Sequence, residues 1–214
     1  MTEKSKGQSL LENAYKLSTP DDNKDYYAEF ADTYDTDFAD VLGYHYPKAI
    51  SQIYREYAGD ADRPIADIGC GTGLVAEALK CASEDIDGID ISGEMLEKAR
   101  DKALYRRAIQ ADLTGSLDAI KNDYGAVVSA GTFTTGHLGP EPLIPLLDIT
   151  KNGALFVIGV NKAFFDKSGF GTFVSDMAEK SLISDLKSIE VPMYAKKGHD
   201  HSNDKAYALC YRKV

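Results

Sequence analysis

The sequence contains no tryptophan and only three cysteines, Cys70, Cys81 and Cys210, in 214 residues. An odd number of widely spaced thiols with no Cys-x-x-Cys pair excludes a disulfide scaffold, argues against a structural zinc site and fits a reducing compartment. Long apolar runs are missing as well. None reaches the ~18 to 20 residues of a membrane span, and the opening MTEKSKGQSLLEN lacks the apolar stretch of a signal peptide. The expectation is a soluble, cytoplasmic protein with no membrane partner. Basic charge is scarce: 24 Lys and Arg stand against 34 Asp and Glu, a formal net charge of −10. Phosphate neutralisation supplies much of the affinity of nucleic-acid binders, so a chain without a basic stripe is expected to leave nucleic acid alone. What remains is an ordinary globular composition, 43% hydrophobic and 27% charged, long enough for about one domain.

The densest charge run is acidic. Asp21 to Asp40 holds eight carboxylates against Lys24 alone, which reads either as a solvated helix face or as an attraction for a cationic ligand. The same region opens with a short amphipathic helix over residues 9–17. A second helix starts with Thr19 as N-cap, Pro20 at the first helical position and acids in the first turn. Tyr27, Phe30, Tyr34 and Phe38 then recur at spacings of three, four and four, an aromatic stripe on one helix face. A third helix is expected over 47–57. Together residues 1–60 form a helical cap belonging to the same domain as the core, residues 61–214.

Beyond residue 60 the pattern alternates. Buried strands are expected at 65–68, 86–91, 108–111, 126–130 and 154–160, with helices at 74–81, 93–102, 116–121 and 141–149 between them. Repeated strand, helix, strand units require right-handed crossovers and a parallel sheet covered on both faces. A helix at 170–183 and two strands at 186–194 and 205–212, joined by the polar loop 196–204, complete the expected fold. It is an α/β, Rossmann-like, mostly parallel seven-stranded sheet with one antiparallel C-terminal strand.

The strongest local signal is IADIGCGTGLVAEAL, residues 65–79. A strand ends, glycines follow at 69, 71 and 73, and a helix begins at once. Glycine admits positive φ and lets a ligand approach the backbone, and the helix N-terminus offers unpaired N–H groups. A dinucleotide fingerprint needs its third glycine at position 74, where Leu74 stands, and the Gly-Lys-Ser/Thr ending of a P-loop is absent. Instead Asp67 precedes the glycines. A carboxylate there repels a pyrophosphate and suits a ligand carrying an ammonium group.

Asp90 lies 17 residues past Gly73, at the end of the second strand, where an acid can accept hydrogen bonds from vicinal ribose hydroxyls; the alternative is that it caps the helix starting near Ser92. Asp112, ending the third strand in IQADLTG, can take the amino group of an adenine or cap a short helix after Gly115. In that order, DIGCGTG, GIDIS and QADL resemble the class I S-adenosylmethionine-dependent methyltransferases. The flanking stretches AYKLSTPDDNKDYYAEFADTYD and VVSAGTFTTGHLGPEPLIPLL are similar to the methyltransferase-like proteins of the Williams-Beuren region, although that group commonly shows tryptophan where this chain has Phe30.

The resemblance implies S-adenosyl-L-methionine as cofactor, S-adenosyl-L-homocysteine as product, and a small-molecule substrate. It implies that Asp67, Gly69, Cys70, Gly71, Gly73 and Leu74 hold the methionine end. Asp90 would hold the ribose, Ile91 and Met95 would flank the adenine, and Asp112 and Leu113 would meet its edge and face. Ser129, Ala130 and Gly131 would line the sulfur. The Asp/Asn-Pro-Pro-Tyr/Phe sequence of DNA- and amide-methylating branches is replaced here by SAGT.

Chemistry on such a cofactor asks mainly for alignment, with a base needed only where the accepting atom carries a proton. His137, just past the fourth strand, is the best-placed base, or else a loop histidine bonded to backbone. Tyr34 is the second catalytic candidate. Tyr26, Tyr27, Tyr34 and Asp35 are candidates to close the site as a lid, although a stripe at helical spacing is also what a core helix shows. Phe164, Phe165 and Phe170 could line an acceptor pocket or pack on the sheet. His199 and His201 lack further ligands, so no metal is expected. Two other readings are a nicotinamide-dependent reductase, suggested by the Tyr44 and Lys48 spacing, and a cofactor-binding protein without turnover.

Overall fold

The computed structural model describes residues 6–14, 16, 17, 19–120 and 123–214. Its centre is one seven-stranded sheet in the order β3-β2-β1-β4-β5-β7-β6. The strands are β1 Ile65–Ile68, β2 Ile86–Asp90, β3 Arg107–Gln110, β4 Tyr124–Phe133, β5 Thr150–Asn161, β6 Ile183–Pro192 and β7 Lys205–Lys213. From β3 to β5 all neighbours are parallel, and β7 runs antiparallel to both β5 and β6. Every residue of β1 is buried, as expected of a strand covered on both faces.

Helices cover the two faces. On one, α3 (Tyr46–Tyr57) and α4 (Leu74–Leu79) pack Ile53, Tyr54, Val75 and Ala76 onto Ile65, Ile86 and Val128. On the other, α6 (Leu143–Asp148) and α8 (Phe170–Glu179) bring Leu143, Leu146 and Phe170 against Phe156 and Ile158. Helix α5 (Gly93–Asp101) follows β2 and lies along β2 and β3. The order reverses between β1 and β4: the chain leaves β1 toward β2 on one side, while β4 pairs with β1 on the other. In open α/β sheets the crevice above that reversal is where ligands bind.

Ahead of the sheet come α1 (Lys6–Ala14) and α2 (Pro20–Phe30). Thr19 starts α2 with a capping box: its side chain accepts from the Asp22 N–H while the Asp22 carboxylate accepts from the Thr19 N–H, worth about 1 kcal/mol. The helix stops at Phe30, and Tyr34–Asp40 form a π-helical segment rather than one continued α-helix. The wider turn keeps the stripe intact, with the rings of Tyr34 and Phe38 stacked at 5.1 Å between centroids.

Three expectations about elements are corrected. Residues 116–120 form turns, not a helix, since Leu117 and Ile120 reach the core from a tight turn whose N–H of Ile120 donates to the Leu117 carbonyl; 121 lies outside the described residues. The first helix is Lys6–Ala14, and Lys16 and Leu17 are not helical, residue 15 lying outside the described residues; the 170–183 helix ends at Glu179, leaving Ile183 to begin β6. A further helix, α7 (Lys162–Lys167), fills the stretch after β5, capped by Asn161 Oδ1, which accepts from the Phe164 N–H.

Candidate active site

The turn between β1 and α4 has Gly69, Gly71 and Gly73 all at positive φ (62°, 53° and 94°). The three do different work. A Cβ on Gly69 would lie 2.0 Å from Thr132 Oγ1, so that position is needed for close packing against the end of β4. A Cβ on Gly73 would meet Leu104. At Gly71 nothing lies within 4 Å, and this glycine faces open space where a ligand can lie against the backbone.

Asp90 at the end of β2 grips that turn. Its Oδ2 accepts from the Gly71 N–H at 2.8 Å and its Oδ1 from the Ser92 N–H at 2.9 Å. The cap of α5 is Ser92, whose hydroxyl accepts from the Met95 N–H, so Asp90 is not the helix cap. A carboxylate has about four lone-pair sites, which leaves Asp90 able to accept two more hydrogen bonds. Burial holds its pKa above the usual carboxylate range.

Asp67 sits beneath the same turn and is 1% exposed. Tyr105 donates its hydroxyl proton to Oδ2 at 2.7 Å, while Oδ1 has no partner among the described residues. Burial pushes its pKa up to about 7, with the Tyr105 hydrogen bond opposing and the negative charge of Asp90 adding to the rise.

One cavity runs from this turn to the underside of the N-terminal helices. Of the predicted site residues, Gly69, Gly71, Asp90, Ile91 and Met95 line it on the β1–β2 side. Asp112 and Leu113 follow from the end of β3, and Ala130 and Gly131 from the end of β4. Tyr27, Tyr34 and His137 line it on the side of the helices. Five predicted residues are not on its wall. Asp67 lies behind the glycine turn, and Cys70, Gly73 and Leu74 are turned into the packing of α4 and Tyr105. Ser129 is fully buried because its hydroxyl donates to the Ile68 carbonyl at 2.8 Å, tying β4 to the last residue of β1.

Asp112 is exposed and closes its own turn, its Oδ1 accepting from both the N–H and the hydroxyl of Thr114; no helix follows for it to cap. Tyr26 points away from the cavity and donates to the Leu10 carbonyl. Phe164 and Phe165 pack on Phe170, so this trio serves the core beside β7 and does not line the cavity. Tyr44 lines the cavity while Lys48 is exposed on α3, so they form no Tyr–Lys pair within it. His201 pairs with Asp204, and no group of three potential metal ligands occurs among the described residues.

Sequence reasoning missed part of the wall: Asn23, Thr134, Asn161, Met193 and Tyr194. Tyr194 arrives from beyond β6 through an isolated bridge to Tyr44, and the His45 N–H donates to the Met193 carbonyl. Only the stretch just after β4 carried a signal for Thr134, since it follows the glycine-bearing SAGT.

On the helix side, Tyr27 and His137 touch through Tyr27 Oη and His137 Nε2 at 3.0 Å. His137 Nδ1 faces the Thr135 carbonyl at 3.3 Å, and a carbonyl can only accept. The proton therefore sits on Nδ1, leaving the Nε2 lone pair to accept the Tyr27 hydroxyl. Burial lowers the pKa of His137, keeping it neutral, and raises that of Tyr34 well above 10. Asp35, by contrast, faces the protein: it accepts from the Thr72 hydroxyl at 2.6 Å and pairs with Lys102, which also reaches Glu77 at 2.8 Å. Asp32 pairs with Lys98. These contacts tie the helices over the glycine turn and α5.

A family model described as a methyltransferase domain matches residues 65–147. Human methyltransferase-like protein 27 is 34% identical over 134 residues, 61% of this chain and 54% of that protein. The release factor glutamine methyltransferase of Staphylococcus aureus is 30% identical over 132 residues, 60% of this chain and 43% of that protein. The chain thus spans about half the length of these curated relatives. Among solved structures, a TehB-like SAM-dependent methyltransferase from Corynebacterium glutamicum superposes with a TM-score of 0.59 at 20% identity, covering 92% of this chain and 100% of the other. The CcbJ methyltransferase from Streptomyces caelestis gives 0.58 at 17%, covering 88% and 98%.

Proposed function

We propose that this chain is a class I S-adenosylmethionine-dependent methyltransferase that moves a methyl group onto a small-molecule acceptor held beneath its N-terminal helices. The cofactor fits the residues present. A buried carboxylate oxygen without a donor at Asp67, open space beside Gly71 and spare acceptor capacity on Asp90 suit a ligand with an ammonium group at one end and ribose hydroxyls near its middle. When bound, S-adenosylmethionine supplies a methyl group on a positively charged sulfur, which is a good leaving group.

The chain's own residues do the rest. Gly71 lies against the ammonium end with Asp67 behind the turn as its counter-charge, Asp90 holds the ribose, and Ile91, Met95, Asp112 and Leu113 hold the adenine. Ala130 and Gly131, in the stretch of β4 where the register with β5 shifts between Ser129 and Phe133, line the sulfur. Residues 1–60 act as a cap on the core of 61–214, excluding water and fixing the acceptor against the cofactor. His137 takes the proton of an acceptor that must lose one.

The unpartnered Asp67 Oδ1 beneath an open glycine carries the reading, because a buried acceptor without a donor needs an explanation and a cationic ligand provides it. Calorimetry with S-adenosylmethionine, S-adenosylhomocysteine and NADH tests the cofactor: the first two should bind and the third should not. Binding of NADH alone would return the reductase. Incubating metabolite extracts with labelled S-adenosylmethionine and finding by mass spectrometry what gains the label tests the acceptor class; label found only on protein or nucleic acid would contradict it.

A further inference from the structure

The helix-side half of the cavity differs from the half beside the glycine turn. Asp90 and Asp112 belong to the latter; the former carries rings, from Tyr27, Tyr34, Phe38, Tyr44 and Tyr194, and no acid. Among the described residues, no lysine or arginine lines any part of the cavity. An anionic acceptor would therefore enter with nothing to neutralise it and with two carboxylates nearby, a strongly unfavourable burial of charge.

Two polar groups in the ring-lined half are buried and lack a partner among the described residues. Asn23, 7% exposed, donates from Nδ2 to the Thr19 carbonyl at 2.8 Å and to the Gly136 carbonyl at 2.6 Å. Both neighbours are carbonyls, so the amide orientation is fixed, both N–H groups are used, and Oδ1, on a residue that lines the cavity, is left as a buried acceptor without a donor among the described residues. Thr134, also 7% exposed, has a buried hydroxyl without a partner. An occupant of this half that brings a hydrogen-bond donor to Asn23 Oδ1 relieves that unmet acceptor.

We infer that the acceptor is an uncharged aromatic compound carrying a ring O–H or ring N–H, recognised by the stacked rings of the cap, by Asn23 Oδ1 and by Thr134. This rests on the methyl-transfer reading above and narrows it. Rings against rings attract beyond what the area they bury contributes. An alkylammonium is the alternative cation-friendly ligand, and it is disfavoured on reactivity: it has no lone pair until it loses a proton, and a His137 held below its ordinary pKa is far too weak to remove it before attack. A ring hydroxyl or ring nitrogen enters neutral. As its oxygen, or the pyridine-type nitrogen of an azole ring, forms the new bond to carbon, the carbon–sulfur bond breaks with its electrons going to sulfur, and the O–H or N–H proton passes to His137 Nε2, either directly or through Tyr27, and then to solvent.

The test uses the full chain saturated with S-adenosylhomocysteine, so that no turnover is needed, and measures dissociation constants by NMR titration for p-cresol, indole, toluene, 4-methylbenzoate and benzylamine. The expected result is that p-cresol and indole bind at least tenfold tighter than the other three. In Thr134→Val and Asn23→Ala, melting being checked for each, that advantage over toluene should shrink several-fold while toluene itself is little changed. Benzoate or benzylamine binding as well as p-cresol, or an advantage untouched in both variants, would overturn the inference and leave the cofactor reading standing. Failure of S-adenosylhomocysteine itself to bind would strike the cofactor reading first.

Discussion

Two aspartates one register apart on neighbouring strands share the same burial and have opposite fates. Asp67 of β1 lies opposite Gly88, and Asp87 of β2 opposite Ala66, so their side chains leave the sheet on opposite faces. Asp87, 0% exposed, accepts from Arg106 at 2.9 and 2.8 Å, from Arg107 at 3.0 and 2.5 Å, and from the Tyr124 hydroxyl at 2.7 Å. Burial alone would raise its pKa, but these bonds outweigh it and hold the value down to about 2. Asp67 has one donor, Tyr105, and a pKa of about 7. A carboxylate saturated by the protein fastens β2, β3 and β4 together. One left unsaturated behind a glycine turn keeps an oxygen without a donor among the described residues, which is what the proposed cofactor would use.

The largest effect that separates the two is on stability. Asp87→Ala strips two arginines of a buried partner and should lower the unfolding free energy by about 3 to 5 kcal/mol, read by denaturant titration. Asp67→Asn should leave the free protein as stable as before, or more so at pH 8, while weakening S-adenosylmethionine by about 10- to 100-fold. Equal destabilisation by both substitutions would erase the contrast. Next in size, Asp90→Ala should weaken the cofactor by about one to two powers of ten, since charge-assisted hydrogen bonds contribute about 1.5 to 3 kcal/mol each; an unchanged dissociation constant would move the cofactor elsewhere.

The pH dependences should have opposite signs. Asp87 has a folded pKa below the ordinary carboxylate value of 3.8, so its stabilisation is present above that value and lost as pH falls toward 2. Asp67 has a folded pKa above it, so its contribution favours the fold at low pH and is lost as pH rises from about 4 through about 7. Melting curves of the wild type against Asp67→Asn and Asp87→Asn over pH 3 to 8 should diverge in these separate windows. The smallest effect is expected at the cap: Lys102→Ala breaks partly exposed pairs to Asp35 and Glu77 and should cost no more than about 1 kcal/mol of stability while speeding cofactor release a few-fold, seen by stopped-flow.

Local signals were legible in the sequence and distant ones were not. The glycine turn, the five parallel strands and the Thr19 cap each depend on residues a few positions apart, and the structure has them where the pattern put them. Gly71 and Gly73 look alike in sequence, yet one faces a cavity and the other packs on Leu104, a difference set by a loop 30 residues away. Leu117 and Ile120 show helical spacing in a stretch too short to nucleate a helix, and a turn buries them instead. Tyr194 and Met193 join the site because β6 ends beside Tyr44 and His45, a meeting about 150 positions apart that no periodicity announces.

The most direct test of the central claim is calorimetric titration of S-adenosylhomocysteine into the wild type and Asp67→Asn near pH 6.5, in buffers of different ionisation enthalpy. An ammonium group docking on Asp67 should drive its proton off, so the wild type should release a substantial fraction of one proton per site and bind more tightly as pH rises toward 8, whereas Asp67→Asn should release none. Heats independent of buffer in the wild type, or equal affinity in the variant, would contradict the account.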